Sequence, residues 1–178
     1  MYEVETKLRA AHEDLEETLQ DRGANRIEAV TQIDVYYGAP HRDFATTDEA
    51  LRRRTERRDG DDRTVLTYKG PRESGAGKVR PEHETVVRDP DALASILEAL
   101  GFEPAATVTK RRHRYDLDGV AVTLDEVEEL GEFVEVETGV KRSDIDAARD
   151  RVTATIAALG LSDATPIQES YLELLLEK

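Results

Sequence analysis

EVETK at residues 3–7 sets Glu3, Glu5 and Lys7 on alternate positions, with Val4, Thr6 and Leu8 interleaved. Successive side chains of a strand point to opposite faces, so this spacing predicts a half-buried strand with one apolar face and one ionic face. Taken alone, a carboxylate pair on a strand is an ordinary solvated edge. The rest of the chain changes that reading. EHET returns at Glu82 and EVET at Glu135, and each copy precedes a helical stretch ended by a glycine: Gly23, Gly101 and Gly160. Tyr37 and Tyr115 occupy equivalent places in the first two copies. A repeat of this length points to duplication into a pseudo-symmetric sheet, with chance similarity in an acidic chain as the alternative.

Working outward from EVETK, Ala11, Leu15 and Leu19 at four-residue spacing predict a helix over 11–22. Strands are expected at 27–37, 51–57 and 64–69, the last two forming a hairpin around DGDD at 59–62. A mobile loop is expected at 70–77 and a strand at 78–88. Asp89-Pro90 then opens a helix as N-cap and first-turn proline. Strands at 106–116, 120–125 and 132–140 precede a helix over 143–159. The closing SYLELLLEK is short and amphipathic, and its assignment is ambiguous.

Composition bounds what such a sheet can do. The 178 residues suit a single domain, expected over 1–176, with a sizeable core. No apolar run approaches the roughly 18 residues a membrane helix needs, so a soluble, cytoplasmic protein with no membrane partner is the expectation. The absence of cysteine excludes disulfides and thiolate chemistry, leaving carboxylates, hydroxyls and four scattered His. A net charge of −14 argues against a nucleic-acid partner, which calls for a basic footprint. Lys is scarce, six of 25 basic residues, and a chain rich in acid and Arg but poor in Lys suits solubility at high salt.

Against that background the alternate-residue faces stand out. Glu3, Glu5 and Lys7 share one; so do Arg52 and Arg54; Lys78, Arg80, Glu82 and Glu84; Lys110 and Arg112; and Glu135 and Glu137. Lys69 and Asp125 end two further strands. Val4, Leu8, Leu51, Leu66, Val134 and Val136 lie on the opposite faces as core candidates. An open sheet with its charges in water would satisfy this pattern, but two observations favour enclosure. These positions hold eight basic residues against seven acidic ones in a strongly negative chain, and they include four of its six Lys. If the ionic faces line the inside of a closed sheet, the interior must hold water and a highly charged ligand, because unpaired buried charge is costly. Clustered carboxylates suit Mg²⁺ or Mn²⁺, and clustered Arg and Lys suit phosphates.

The motifs E-x-E-x-K at 3–7, QIDVYY at 32–37, ALRRR at 50–54, TYKGP at 67–71, VRPEHE at 79–84, KRRHRY at 110–115, LDEVEELGEFVEVE at 124–137 and SYLELL at 170–175 occur in an order that resembles the CYTH family, the triphosphate tunnel metalloenzymes. The likeness is greatest to the class IV adenylate cyclase branch and its archaeal relatives. It implies an α+β fold: an antiparallel eight-stranded β-barrel, or tunnel, with helices packed outside. It implies divalent metal, Mg²⁺ or Mn²⁺, at Glu3, Glu5, Glu135 and Glu137, with Asp125, Glu82 and Glu84 assisting. Lys7, Arg52, Arg54, Lys69, Arg80, Lys110 and Arg112 would hold a triphosphate, and Lys78 joins them from its place on the face. Glu5, Lys7, Asp125 and Glu137 are the expected catalytic set. Asp34, Tyr36 and Tyr171 match motif positions with no role derived, while His41, His83 and His113 are expected to be incidental. The expected reaction converts ATP to cyclic AMP and pyrophosphate. Alternatives are hydrolysis of inorganic, nucleoside or thiamine triphosphate, and a non-catalytic polyphosphate or nucleotide binder. A homodimer is implied by the resemblance alone.

Overall fold

Alternation builds the strands largely where it was read. The computed structural model describes residues 2–58, 60–71 and 81–177, with the backbone alone for Tyr2 and Glu3. In chain order the strands are β1 (Tyr2–Arg9), β2 (Asn25–Gly38), β3 (Ala50–Arg58), β4 (Asp61–Lys69), β5 (Glu82–Val87), β6 (Glu103–Leu117), β7 (Val120–Val127), β8 (Gly131–Val140) and β9 (Pro166–Ile167). The helices are α1 (Leu15–Asp21), α2 (Pro90–Ala99), α3 (Ile145–Ala158) and α4 (Tyr171–Leu176). The fold is α+β and its strands are antiparallel, with neighbours running β5-β4-β3-β2 in one series and β6-β7-β8-β1-β9 in the other. The echo seen in sequence is an echo of elements: β1, β5 and β8 each run into a helix that a left-handed glycine follows, with φ of +76° at Gly23, +82° at Gly101 and +73° at Gly160.

Two compact units make up the chain. The first takes the residues up to Ala29 and those from Lys110 onward, and the second lies within Val30 to Thr109. In the first unit, β1 pairs with β8 in a register that sets Glu5 opposite Glu137 and Lys7 opposite Glu135. β8 pairs with β7, and β7 with β6, so that Arg112 faces Asp125. The other face of the same strands carries Val4, Tyr115, Val122, Leu124, Val134 and Val136, which form a core with Leu15 and Leu19 of α1 and Ala148 and Val152 of α3. The apolar stripe of each helix is buried there, at a gain of roughly 1.5–3 kcal/mol per large side chain. In the second unit the hairpin of β3 and β4 sets Arg54 opposite Asp34 of β2, and β4 sets Lys69 opposite Glu82 of β5.

Several boundaries differ from the sequence reading for local reasons. The first helix starts at Leu15 rather than at residue 11 because His12 is tied to β8: its backbone N–H donates to Glu132 and its Nε2 lies 2.9 Å from the Phe133 carbonyl. Asp61 and Asp62, read from sequence as part of a turn, belong to the ladder, where they pair with Arg58 and Arg57. The helix expected over 143–159 opens with a 3₁₀ turn at Arg142–Asp144. α2 begins as expected, with Asp89 accepting from the Ala92 N–H at 2.9 Å. Leu51 and Leu66 are half-buried rather than core residues, whereas Val4, Leu8, Val134 and Val136 are fully buried. The 70–77 loop, apart from Gly70 and Pro71, lies outside the described residues, as do Lys78 and Arg80 and the side chain of Glu3. No helix among the described residues is long and apolar enough to cross a membrane.

Candidate active site

The ionic face of the first unit gathers its charges around one aromatic ring. Tyr171, the first residue of α4, has the Lys7 ammonium 4.0 Å from its ring centroid and that of Lys110 at 4.9 Å. Both lysines are about 5% exposed. The Tyr171 hydroxyl donates to Asp125 Oδ2 at 2.9 Å, and Asp125 is fully buried. Arg112 clasps Asp125 with a two-pronged pair, Nε to Oδ1 at 2.7 Å, while its Nη2 also donates to Glu135 at 2.6 Å. Lys7 lies 3.5 Å from Glu135 and donates to the Glu169 carbonyl at 3.2 Å. The segment bearing Tyr171 is fixed by β9, which pairs with Lys7 and Leu8, and by a capping box in which the side chains of Ser170 and Glu173 each bind the other's backbone N–H.

Electrostatics hold this arrangement charged. Burial works against ionisation of Glu135, but Arg112, Lys110 and Lys7 more than offset it and keep the carboxyl well below the usual range. Burial, reinforced by Glu135 and Asp125, pushes the Tyr171 hydroxyl up, so it serves as a proton donor in its hydrogen bond. Burial would lower Arg112, yet its bond to Asp125 and the charge of Glu135 raise it. Three cations thus meet two carboxylates in a nearly dry setting, where Coulomb interactions are strong.

The second unit holds a similar device with the polarity exchanged. Arg54 on β3 clasps Asp34 on β2, with Nε and Nη2 each 2.6 Å from a carboxylate oxygen. In the first unit the Arg is on the earlier strand and the Asp on the later one. Arg52 lies 3.7 Å from Asp34 and 3.8 Å from Glu82, and its Nε is buried with no hydrogen-bond partner among the described residues. Lys69 pairs with Glu82 at 2.9 Å, and Thr67 donates to Glu84 at 2.8 Å. Burial opposes ionisation of Glu82, but Lys69 and Arg52 bring its carboxyl below its ordinary value.

The expected residues therefore fall into two clusters: Lys7, Lys110, Arg112, Asp125 and Glu135 in the first unit, and Arg52, Arg54, Lys69, Glu82 and Glu84 in the second. Glu5 and Glu137 stand opposite one another, both half-buried. Asp125 and Glu135 are engaged by cations and Tyr171, and among the described residues no three Asp, Glu or His side chains converge as a cation site. Asp34 and Tyr171 gain roles as partners of Arg54 and Asp125. Arg114 was missed: its Nη2 donates to Glu137 at 2.9 Å, and the stride of Lys110 and Arg112 already pointed to it. His113 lies 2.7 Å from Glu16, His83 stacks on Tyr68 and His41 sits edge-on to Phe102.

The chain matches the CYTH domain over residues 1–171. It is 35% identical over 178 residues to MJ0240 of Methanocaldococcus jannaschii, provisionally named an adenylate cyclase, with 98% of each protein covered. The solved structure of PH1819 from Pyrococcus horikoshii OT3 matches at 40% identity with a TM-score of 0.88, covering 99% of both chains. HpAC1 of Hippeastrum, provisionally named an adenylyl cyclase and described as revealing a dominant triphosphatase activity, matches at 15% identity and a TM-score of 0.71 over 99% of this chain and 96% of its own, a likeness of fold alone. With every charged strand of both clusters inside the matched span, the chain belongs to the CYTH domain family.

Proposed function

We propose that this protein binds a metal-complexed triphosphate and acts on ATP as a class IV adenylate cyclase, releasing cyclic AMP and pyrophosphate. The observation that carries the reading is the convergence of Lys7, Lys110 and Arg112 on Tyr171 and Glu135, a buried surplus of cation in a chain with net charge −14. Lys7 and Lys110 are point charges suited to phosphate oxygens, and Arg112 keeps Glu135 and Asp125 aligned. Arg52, Arg54 and Lys69 are further triphosphate ligands on the family resemblance, as are Arg80 and Lys78. Family membership implies divalent-metal use, and the donor chemistry fits: Glu5 and Glu137 offer opposed carboxylates on one face, the oxygen ligands that Mg²⁺ and Mn²⁺ take. Such an ion, when bound, supplies charge neutralisation and polarisation at phosphorus. In the cyclase reaction the ribose 3′-oxygen bonds to the α-phosphorus, the bond from that phosphorus to the bridging oxygen breaks, and the hydroxyl proton is released to solvent. Cationic side chains holding the departing pyrophosphate lower the barrier by positioning and charge stabilisation.

The same residues serve a triphosphatase, in which water attacks the terminal phosphorus. The activity described for HpAC1, which shares the fold, favours keeping this second reading. Product analysis separates the two: the protein is incubated in molar KCl with ATP or inorganic triphosphate and Mg²⁺ or Mn²⁺, and products are resolved by anion exchange. Cyclic AMP with equimolar pyrophosphate supports the cyclase. Phosphate from triphosphate without cyclic AMP supports the hydrolase, and no turnover of either refutes both.

A further inference from the structure

Arg112 and Arg114 stand on alternate positions of β6, and each reaches across β7 to a carboxylate of β8 one register step further along. Arg112 is level with Asp125 and Phe133 yet donates to Glu135, while Arg114 is level with Thr123 and Glu135 yet donates to Glu137 at 2.9 Å. The intervening strand permits the second reach because it carries Thr123 and Ala121 there, side chains too short to stand in the way of a guanidinium.

The two pairs differ in how firmly they are held. Arg112 is 16% exposed and also clasps Asp125, so one guanidinium ties two buried carboxylates. For Arg114 the corresponding position on β7 is Thr123, which offers no carboxylate, and the Arg114 side chain is 42% exposed. An ion pair with a partner this exposed is weak. Arg114 also lines a cleft of about 320 Å³ with Asn25, Ile27, Tyr115, Asp116 and Ala121. It therefore has room to withdraw from Glu137, and Asp116 supplies a half-buried carboxylate in that space.

Glu137 stands opposite Glu5, the two carboxylates read above as offering oxygen ligands to a divalent ion. A guanidinium on Glu137 engages one of its oxygens and sets a positive charge where it repels a second cation. We propose that Arg114 is a resident counter-ion of Glu137 which a divalent ion has to displace, so that this arginine sets how tightly the site holds metal. The inference rests on the metal reading above and adds to it an internal competitor for the same carboxylate.

The test is titration of the wild type, Arg114→Gln, Arg114→Lys and Arg111→Gln with Mn²⁺ alone at constant ionic strength, the free ion being followed by electron paramagnetic resonance. Circular dichroism without metal verifies that each variant is folded. Arg114→Gln binds Mn²⁺ about three- to fivefold more tightly than the wild type, the scale of a partly exposed ion pair. Arg114→Lys keeps the charge and gains less. Arg111→Gln removes the same formal charge from the same strand, at a residue 75% exposed and paired with Glu126, and leaves the affinity unchanged. A purely structural role for Arg114 predicts the opposite sign, weaker binding when it is removed. Unchanged or weaker binding in Arg114→Gln overturns the inference, as does an equal gain in Arg111→Gln or in Arg114→Lys. Absence of Mn²⁺ binding in all four proteins overturns the metal reading, and this one with it.

Discussion

Tyr171 allows the hydroxyl and the ring to be tested separately. Tyr171→Phe deletes only the donor to Asp125, a hydrogen bond of 2.9 Å to a fully buried carboxylate. Hydrogen bonds to charged groups contribute about 1.5–3 kcal/mol, and Arg112 remains as partner, so the lower half of that range is expected. Tyr171→Leu removes the ring as well. Its faces meet the ammoniums of Lys7 and Lys110 at 4.0 and 4.9 Å, each contact contributing about 0.5–2 kcal/mol. The ring also stands edge-on to Phe133 at 5.0 Å, which contributes about 0.5–1.5 kcal/mol. Even the low ends place the Leu variant about 1.5 kcal/mol below the Phe variant. Urea unfolding of the three proteins in the same buffer measures both steps. A Leu variant as stable as the Phe variant would refute the idea that the ring holds the two lysines. A Phe variant equal to the wild type would show that the hydroxyl contributes nothing.

Other expectations can be checked in parallel. Glu5→Ala and Glu137→Ala each abolish metal-dependent turnover while leaving the unfolding midpoint near that of the wild type; wild-type rates in either would refute the metal assignment. Glu135 has a lower pKa folded than unfolded, so its contribution is complete at neutral pH and fades as pH falls below the ordinary glutamate value of about 4.3. Stability measured from pH 6 to 3 should therefore fall less steeply in Glu135→Gln than in the wild type, and equal slopes would contradict the linkage. Gly101→Ala places a Cβ 3.1 Å from Pro40 at a φ of +82°, whereas Gly160→Ala meets only the backbone penalty in open space. The first should cost about 1–2 kcal/mol, and thermal melts should show it to be the more damaging of the two.

The legible parts of the molecule were those set by local periodicity. The stride of Glu3, Glu5 and Lys7 identified a strand and its charged face because side chains alternate along any strand. The same rule located the faces of β6 and β8. Asp89-Pro90 marked a helix start because its capping geometry lies within four residues. What stayed hidden depends on partners distant in sequence. The role of Tyr171 is set by Asp125, and that of Asp34 by Arg54 across a hairpin loop. Residues 11–14 carry a helical pattern, but His12 among them is tied to β8. SYLELLLEK was ambiguous because six helical residues show too few turns to separate the periods; Ser170 and Glu173 were the resolving signal.

The depth of the Asp125 cluster has a consequence for ionic strength. At 1 M salt the screening length shrinks to about 3 Å, shorter than the 3.6 Å between Arg57 and Asp62, which are 59% and 60% exposed. Mobile ions reach that surface pair readily and weaken it. They have little access to Asp125, Arg112 and Glu135, whose mutual attraction crosses protein rather than electrolyte. Rising salt should therefore dissolve the ion pairs on the outside of this protein one by one, while the charges around Tyr171 keep their arrangement.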